Sequence, residues 1–270
     1  MPEVSYQEIP ALNWSTLKHL AVSPKMLKFR ERVPQKDTGA LSLGRAIHCA
    51  SLEPEKWERH VREPDFGDMR TKVAKERAAA WHAERQPGET ILDGPTYDLA
   101  AQCAEAIKSH PEAMALLAGG RHEQVIEWVD PDTGIRCKAR LDVLRPHDIS
   151  DIKSTRHPTP REFLRGASNK LYYGQMSWYH DGAIAAGVLP AGAHLPAIVA
   201  IQTTEPYDVM PFRMTLAAYF TGQRLWKTLI RRYADCQSAD WWPGVAPTVL
   251  DFDVMPWASA GDDDSQEETF

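Results

Sequence analysis

The N-terminal part of the chain carries apolar residues at helical spacing. Leu17, Leu20 and Leu27 lie on one face of a helix, which predicts a helix over residues 12–30. Small residues around Gly44 indicate a second helix that packs closely against its neighbours. The same spacing, together with capping and stop residues, predicts further helices over residues 39–49, 71–84, 98–109 and 111–117.

From the middle of the chain onward, apolar and polar positions alternate, which is typical of β-strands. A segment rich in turn residues, 130–134, separates two alternating runs. In the second run one face carries Cys137, Ala139, Leu141 and Val143, and the other carries Arg136, Lys138, Arg140 and Asp142. Strands are predicted over residues 123–129, 136–144, 148–154, 197–203 and 209–214. Long helices are predicted over residues 161–186 and 216–236.

The order of these elements indicates the fold class. Helices come first, followed by three strands, a helix, two strands and a final helix. We therefore predict an α/β fold in which a mixed central sheet is flanked by helices and joined to an N-terminal helical layer. We expect one domain over residues 1–257, divided into a mainly helical part at 1–120 and an α/β core at 121–257.

The composition is that of a folded protein. Hydrophobic residues make up 43% and charged residues 25% of the chain. No apolar run approaches the roughly 18 residues that a membrane helix needs. The four cysteines are far apart, which argues against an iron–sulfur cluster or a zinc site built from cysteine. We expect a soluble protein of the cytoplasm, without a membrane partner.

The net charge of −6 is unevenly distributed along the chain. Nine acidic residues and no Lys or Arg follow Arg232, so residues 1–232 carry a net positive charge. The bulk charge therefore does not exclude a nucleic acid partner. The acidic segment 258–270 is expected to be a disordered tail.

Two predicted strands carry charged residues suited to catalysis. Asp151 and Lys153 project from the same face of one strand, and Asp142 lies on the polar face of the strand before it. Two carboxylates on neighbouring strands, with the Ile152 carbonyl, offer the hard oxygen ligands that Mg²⁺ or Mn²⁺ prefers. The alternative interpretation is a solvated strand surface whose acidic residues pair with Arg140.

These residues occur in an order found in a known group of nucleases. Asp142 followed by Asp151-Ile152-Lys153 resembles the PD-(D/E)XK signature. On the next predicted helix, Gln175 and Tyr179 resemble the Q-x-x-x-Y element of RecB-type nucleases. Because these two residues are four apart, they share one helical face.

An upstream histidine makes the resemblance more specific. The segment from Gly44 to His48, followed by Leu52-Glu53-Pro54, resembles the G-x-x-x-H segment of exonuclease VIII (RecE-like) proteins, in which a His completes the metal site. The resemblance covers about residues 12–257 and implies a restriction-endonuclease-like PD-(D/E)XK core. Taken alone, His48 would be a helix histidine bonded to a backbone carbonyl.

The resemblance implies a role for each matched residue. His48, Asp142 and Asp151 would be metal ligands, and Lys153 would be the catalytic lysine. Gln175 and Tyr179 would support the site or contact DNA near the scissile phosphate. Two glutamates on the first predicted strand, Glu123 and Glu127, have the same side-chain parity, and either could add a carboxylate.

The resemblance also implies an activity. The family contains Mg²⁺-dependent exodeoxyribonucleases that degrade linear duplex DNA 5′→3′ and leave 3′ single strands for a strand-annealing partner. It further implies a ring-shaped homo-oligomer and a place in phage or prophage recombination, in the cytoplasm of a bacterial or phage-infected cell. Two alternatives stay open: a single-strand or endonucleolytic RecB-like nuclease, and a non-catalytic protein that binds DNA ends.

Basic residues cluster in sequence around the proposed site. They would contact phosphates, which position a nucleic acid without reading its sequence. The competing interpretation is that they lie on ordinary solvated faces. The candidates are Lys138, Arg140, Arg161, Arg165 and Lys170.

Overall fold

The computed structural model describes residues 5–33, 38–246 and 248–253. Its helices are α1 (Trp14–Leu17), a 3₁₀ turn (Lys18–Ala21), α2 (Pro24–Arg32), α3 (Gly39–Leu52), α4 (Pro54–Trp57), α5 (Lys72–Ala83), α6 (Gly94–Ser109), α7 (Pro111–Leu117), α8 (Pro160–Asn169), α9 (Tyr172–Ala185) and α10 (Leu216–Ser238). Its strands are β1 (His60–Glu63), β2 (Thr90–Asp93), β3 (Arg121–Val129), β4 (Arg136–Leu144), β5 (Ile149–Thr155), β6 (Ala197–Gln202) and β7 (Val209–Arg213). The predicted tail, 258–270, and the domain boundary at 257 lie outside the described residues.

The central sheet has five strands in the order β3-β4-β5-β6-β7. Neighbouring strands are antiparallel except β5 and β6, which are parallel and are joined by α8 and α9. This mixed sheet with helices on both faces confirms the predicted α/β fold class. All five strands were predicted, with ends that differ by at most a few residues.

Apolar side chains cover both faces of the sheet. On one face α9 and α10 contribute Trp178 and Trp226, and the helices before residue 33 pack into the same cluster. On the other face α3 and α6 contribute Ile47 and Ile107, which pack against Ile152 of the sheet. The predicted N-terminal helical layer is thus divided between the two faces, because its first helices bury their leucines beside α10.

Strands β4 and β5 diverge soon after they meet. They pair only through Val143 with Ser150 and Leu144 with Ile149. Farther along β4, the N-terminal segment takes the place of β5: the Leu12 amide donates to the Arg136 carbonyl at 2.9 Å. The divergence opens a cleft in the sheet, and the backbone groups that it frees need partners from elsewhere.

The predicted helix over residues 12–30 is interrupted. Ser23 has an extended backbone, and its hydroxyl oxygen accepts a hydrogen bond from the Met26 amide at 3.1 Å, so it caps α2. Pro24 at the start of α2 disfavours a helical conformation for Ser23. The apolar period continues across this boundary, which is why periodicity alone predicted one helix.

The predicted helix over residues 161–186 is two helices. Leu171 between them has φ 58°, in the left-handed region, which ends α8 and redirects the chain into α9. Close packing sets the direction of α9, because Gly174 contacts the Trp14 ring and Gly182 contacts the Trp128 ring. Those contacts are long-range and leave no local signal in the sequence.

The predicted alternation of β4 holds only in part. Lys138 was expected on the polar face with Asp142, in reach of a nucleic acid, but only 4% of its surface is exposed. Val143 was expected beside Leu141, yet it packs in the cluster on the opposite face. The hydrogen-bonded pairing of β3 with β4 omits Glu123, whose φ is 52°. Beyond this local distortion, the side chains that follow Asp142 no longer point to the faces that the alternation predicts.

A second, two-stranded parallel sheet was not predicted. It pairs β1 with β2 from His60–Thr90 to Glu63–Asp93. Its strands are four residues long and too short for a clear alternation. None of the helices in the described part of the chain is long and apolar enough to cross a membrane.

Candidate active site

A cleft of about 490 Å³ opens where β4 and β5 diverge. Six elements contribute to its walls: α1, α3, β3, β4, β5 and α9. The motif residues at its centre are His48, Asp142, Asp151, Lys153, Gln175 and Tyr179. The structure therefore brings together, in one cavity, the residues from all three motifs identified in the sequence.

The two motif aspartates lie at the bottom of the cleft. Asp151 is 2% exposed and Asp142 is 9% exposed. The Asp142 carboxylate accepts a hydrogen bond from the Ile152 amide at 2.9 Å, which links β4 to β5 where the strand ladder has stopped. Lys153 lies on the same face as Asp151, as the alternation predicted, and its Nζ is 2.5 Å from Asp151 Oδ2.

His48 reaches the aspartates from α3. Its Nδ1 lies 3.3 Å from Asp142 Oδ2, and its Nε2 lies 2.8 Å from the Ile152 carbonyl oxygen. The backbone-carbonyl bond expected of a helix histidine is therefore present, and it engages the carbonyl that was considered as a metal ligand. The same contacts hold the imidazole ring against the carboxylates.

A third carboxylate joins this group from β3. Ligand atoms of His48, Glu123 and Asp142 all lie within 4.8 Å of one another. Glu123 also forms an ion pair with Arg140, in which Nε of Arg140 lies 2.8 Å from Oε2 of Glu123. Glu127, which had the same parity in the sequence, instead pairs with Arg136 at 3.1 Å on the exposed part of the strand.

The electrostatics of the cleft favour a divalent cation. Burial and the nearby Asp151 raise the pKa of Asp142. Burial and the nearby Asp142 likewise raise the pKa of Glu123, although Arg140 opposes the shift. Carboxylates that repel one another in a buried place are stabilised by a bound cation. Carboxylate oxygens with one imidazole nitrogen suit Mg²⁺ or Mn²⁺, so these residues fit the metal that the motifs imply.

Lys153 is held in its charged form. Burial would lower the pKa of its ammonium group, but the adjacent Asp151 and Asp142 carboxylates outweigh burial and raise it. Gln175 donates a hydrogen bond to the Tyr179 hydroxyl at 2.8 Å, as expected for residues four apart on one helical face. Burial and the neighbouring Asp151 raise the pKa of that hydroxyl, so it stays protonated as a donor.

The sequence and the fold can be compared with those of known proteins. Residues 14–249 match the model of the family DUF3799, described as a PDDEXK-like domain of unknown function. The chain belongs to this family. A solved structure from Eubacterium rectale, described as a "putative exonuclease", is similar with a TM-score of 0.60 and 13% sequence identity, over 96% of this chain and 99% of that one. No curated protein matches the chain.

The family match places this DUF3799 protein among the PD-(D/E)XK proteins, as the motifs indicated. The solved relative, at 13% identity, shows that the two share a fold. The narrower resemblance to exonuclease VIII is not part of either match and stays a prediction.

The basic residues proposed to contact DNA in this DUF3799 protein occupy different environments. Lys138 is buried and donates to the carbonyls of Tyr6 and Ile9 at 2.7 and 2.8 Å, so the structure gives it a partner other than DNA. Arg140 lines the cleft but is paired with Glu123. Three candidates are exposed and have no carboxylate partner among the described residues: Arg161, Arg165 and Lys170.

Several residues of the cleft were not singled out in the sequence. Tyr6 and Tyr172 line it, and the guanidinium of Arg140 lies 5.5 Å from the centre of the Tyr6 ring. Tyr172 is close in sequence to the Gln175 motif, a signal that could have identified it. Tyr6 is 136 residues from Asp142 along the chain and reaches the cleft only because the N-terminal segment fills the gap beside β4.

Proposed function

We propose that this protein is a divalent-metal-dependent deoxyribonuclease that hydrolyses phosphodiester bonds. One observation carries the proposal: the ligand atoms of His48, Glu123 and Asp142 converge within 4.8 Å, in the same open cleft as the Asp151–Lys153 ion pair. A purely structural cluster would not need buried, mutually repelling carboxylates that face a cavity.

The site residues divide into metal ligands and charge stabilisers. His48, Glu123, Asp142 and Asp151 would hold Mg²⁺, or Mn²⁺ in its place. A bound cation of this kind polarises a phosphodiester and lowers the pKa of a coordinated water. The Asp151 carboxylate also holds Lys153 beside these ligands, since Oδ2 of Asp151 lies 2.5 Å from Nζ of Lys153.

Lys153 would act on the phosphate through its charge. Because Asp151 and Asp142 keep its ammonium group protonated, it is poorly suited to accept a proton. A fixed positive charge in a buried cleft stabilises the negative charge that develops on the phosphate oxygens during hydrolysis. The Tyr179 hydroxyl, oriented by Gln175, offers a neutral hydrogen bond at the same place.

The substrate and its polarity are proposed from resemblance. Exonuclease VIII-like proteins imply attack on linear duplex DNA in the 5′→3′ direction, which leaves 3′ single strands for an annealing partner, and a ring-shaped homo-oligomer. The description of the Eubacterium rectale relative includes the word exonuclease, which agrees with action at DNA ends. We extend the duplex substrate, the 5′→3′ direction, the annealing partner and the homo-oligomer to this protein as part of the proposal.

An end-labelled DNA assay tests the proposal. Linear duplex labelled at the 5′ or the 3′ end, closed circular duplex and single-stranded DNA are incubated with Mg²⁺, Mn²⁺ or a chelator. We expect mononucleotide release from the 5′ end of linear duplex only, dependent on metal. Cleavage of circular DNA would indicate an endonuclease, and preference for single strands would indicate a different RecB-like activity.

Two substitutions separate catalysis from DNA binding. Asp151→Asn and Lys153→Met should each abolish cleavage but not DNA binding by the folded protein. Because each removes one partner of a buried ion pair, its thermal unfolding midpoint should lie below that of the wild type. DNA binding without cleavage by the wild-type protein under every metal condition would contradict the proposal and would favour a non-catalytic protein that binds DNA ends.

A further inference from the structure

An aromatic side chain near the start of the described residues forms part of the cleft wall. Tyr6 precedes α1 in the chain and lines the cavity together with Glu123 and Arg140. The guanidinium of Arg140 lies 5.5 Å from the centre of the Tyr6 ring, and its Nε lies 2.8 Å from Oε2 of Glu123. Because Glu123 is one of the candidate metal ligands, the Arg140 side chain connects the Tyr6 ring to that group.

Hydrogen bonds from β4 hold Tyr6 in this place. Nζ of Lys138 donates to the carbonyls of Tyr6 and Ile9 at 2.7 and 2.8 Å, and it lies 4.6 Å from the centre of the Tyr6 ring. Farther along the segment, the Leu12 amide donates to the Arg136 carbonyl at 2.9 Å. The ring is therefore held at the cleft before a substrate binds, which lowers the entropic cost of a contact with it.

A second tyrosine lies beside the other strand that borders the cleft. The Tyr6 ring contacts side chains of β4, whereas the centre of the Tyr172 ring lies 4.9 Å from Nζ of Lys153 on β5. Both rings line the cleft and are half-buried, so part of each ring is accessible to a ligand. Aromatic rings on both sides of a cleft whose centre is charged favour a ligand that is charged and also carries flat aromatic groups. A nucleic acid strand has both.

We propose that Tyr6 stacks on a nucleobase of the strand that is cleaved, next to the scissile phosphate. The inference rests on the proposed nuclease function, because that function places the phosphate at the metal ligands. A base inside a duplex is covered by its neighbours, whereas a base at a strand end or in an unpaired segment exposes a face. Tyr6 therefore selects a strand end or an unpaired nucleotide. Because every base has an aromatic face, this contact does not depend on the sequence.

The test removes the ring and the base separately. The DNA is a short duplex with an unpaired 5′ end, labelled with fluorescein at the opposite end, and its affinity is measured by anisotropy in the presence of a chelator. Tyr6→Leu, which keeps an apolar side chain but no ring, should bind about 5- to 100-fold more weakly than the wild type. Tyr6→Phe keeps the ring and should bind nearly as well as the wild type.

Abasic nucleotides then remove the base at one unpaired position at a time. At the position that contacts Tyr6, the abasic DNA should lose as much affinity for the wild type as Tyr6→Leu loses for the complete DNA. Tyr6→Leu should bind both DNAs alike, because the lost contact cannot be lost twice. A merely structural role of Tyr6 would weaken binding of both DNAs equally. Additive losses at every position, or a Tyr6→Phe variant as weak as Tyr6→Leu, would overturn the proposal.

The matched control removes an aromatic ring elsewhere. Phe29 on α2 is 50% exposed and is not among the described residues that line the cleft. Phe29→Leu should leave the affinity and its dependence on the base unchanged. If Phe29→Leu reproduced the base-dependent loss of Tyr6→Leu, the assignment to Tyr6 would be wrong. Thermal melts of all variants establish that the proteins compared are folded.

The outcome is distinguishable from that of the nuclease proposal. If the wild-type protein cleaves DNA and the losses from ring and base are additive, the stacking role is wrong and the nuclease function stands. If the wild-type protein binds DNA without cleaving it and the losses are not additive, the stacking role stands and the nuclease function is wrong. Where cleavage occurs, Tyr6→Leu should raise KM more than it lowers kcat, because stacking holds the substrate equally before and during the reaction.

Discussion

At the residue scale, small differences in position separate side chains of the same type. Glu123 and Glu127 have the same side-chain parity along β3, yet only Glu123 reaches the group formed by His48 and Asp142. The left-handed backbone at Glu123, with φ 52°, accompanies this placement. A non-glycine residue in that conformation is uncommon, and such strain is found more often at functional sites.

The pair of glutamates provides a matched substitution experiment. Glu123→Gln should reduce metal-dependent cleavage and raise the Mg²⁺ concentration needed for half-maximal activity by about 10- to 100-fold, because a carboxylate oxygen is lost from the ligand group. Glu127→Gln should leave both quantities near wild type. Equal effects of the two substitutions, measured by titration of activity with Mg²⁺, would remove Glu123 from the metal site.

At the element scale, a half-buried carboxylate connects α9 to α10. Asp181 accepts hydrogen bonds from Tyr219, from Gln223 at 3.0 Å and from Trp226 at 2.9 Å. Burial would raise the pKa of Asp181, but hydrogen bonds from His180, Tyr219 and these α10 side chains outweigh it and lower the pKa. Hydrogen bonds to a charged group are among the stronger ones in proteins.

A pH series tests this connection between helices. A carboxyl group whose pKa is lower in the folded than in the unfolded state stabilises the protein above its unfolded pKa, and loses that effect as the pH falls below about 4. Asp181→Asn should therefore lower the free energy of unfolding by about 1.5–3 kcal/mol at neutral pH. The difference from wild type in urea titrations should shrink at acid pH; a constant difference would show that ionised Asp181 contributes nothing.

The same two helices also approach each other very closely. A Cβ atom added at Gly222 of α10 would collide with the Tyr173 carbonyl of α9. Gly222→Ala should destabilise the protein by about 1–3 kcal/mol through overpacking, although alanine is the better helix former. Gly192→Ala is the control, since no atom lies within 4 Å of the added Cβ; a thermal melt in which both variants behave alike would exclude the close contact as the cause.

At the scale of the whole molecule, the fold is well packed, but carboxylates in the cleft repel one another. Clusters of apolar side chains on both faces of the sheet stabilise the protein, whereas the buried carboxylates of the cleft oppose folding. The protein should therefore fold without metal and become more stable when metal binds. This coupling follows from preferential binding to the native state.

Metal titration of the unfolding transition tests this coupling. We expect Mg²⁺ to raise the thermal unfolding midpoint in proportion to the logarithm of its concentration above the dissociation constant. The shift should be much smaller in Asp142→Asn, which removes one ligand. A midpoint that does not respond to Mg²⁺ or Mn²⁺ at any concentration would contradict a metal site in the cleft.

Local chemistry in the sequence was sufficient for a large part of the fold and of the candidate site. Strand alternation placed Asp151 and Lys153 on one face, and a spacing of four placed Gln175 beside Tyr179. The helix α3 with His48 and the strands β3 to β7 were also predicted. These features depend on the period of the backbone, which neighbouring residues determine among themselves.

Tertiary structure decided which of these faces meet. It selected Glu123 over Glu127, buried Lys138 under the N-terminal segment and brought Tyr6 to the cleft of a sheet more than 100 residues away. It also left two predicted helices divided, at Ser23 and at Leu171, although the residues on both sides of each break pack into the same apolar cluster. The sequence by itself determined most of the elements and the residues of the nuclease-like motif, because both are local patterns. The assembled site depends on long-range packing, which no local pattern records.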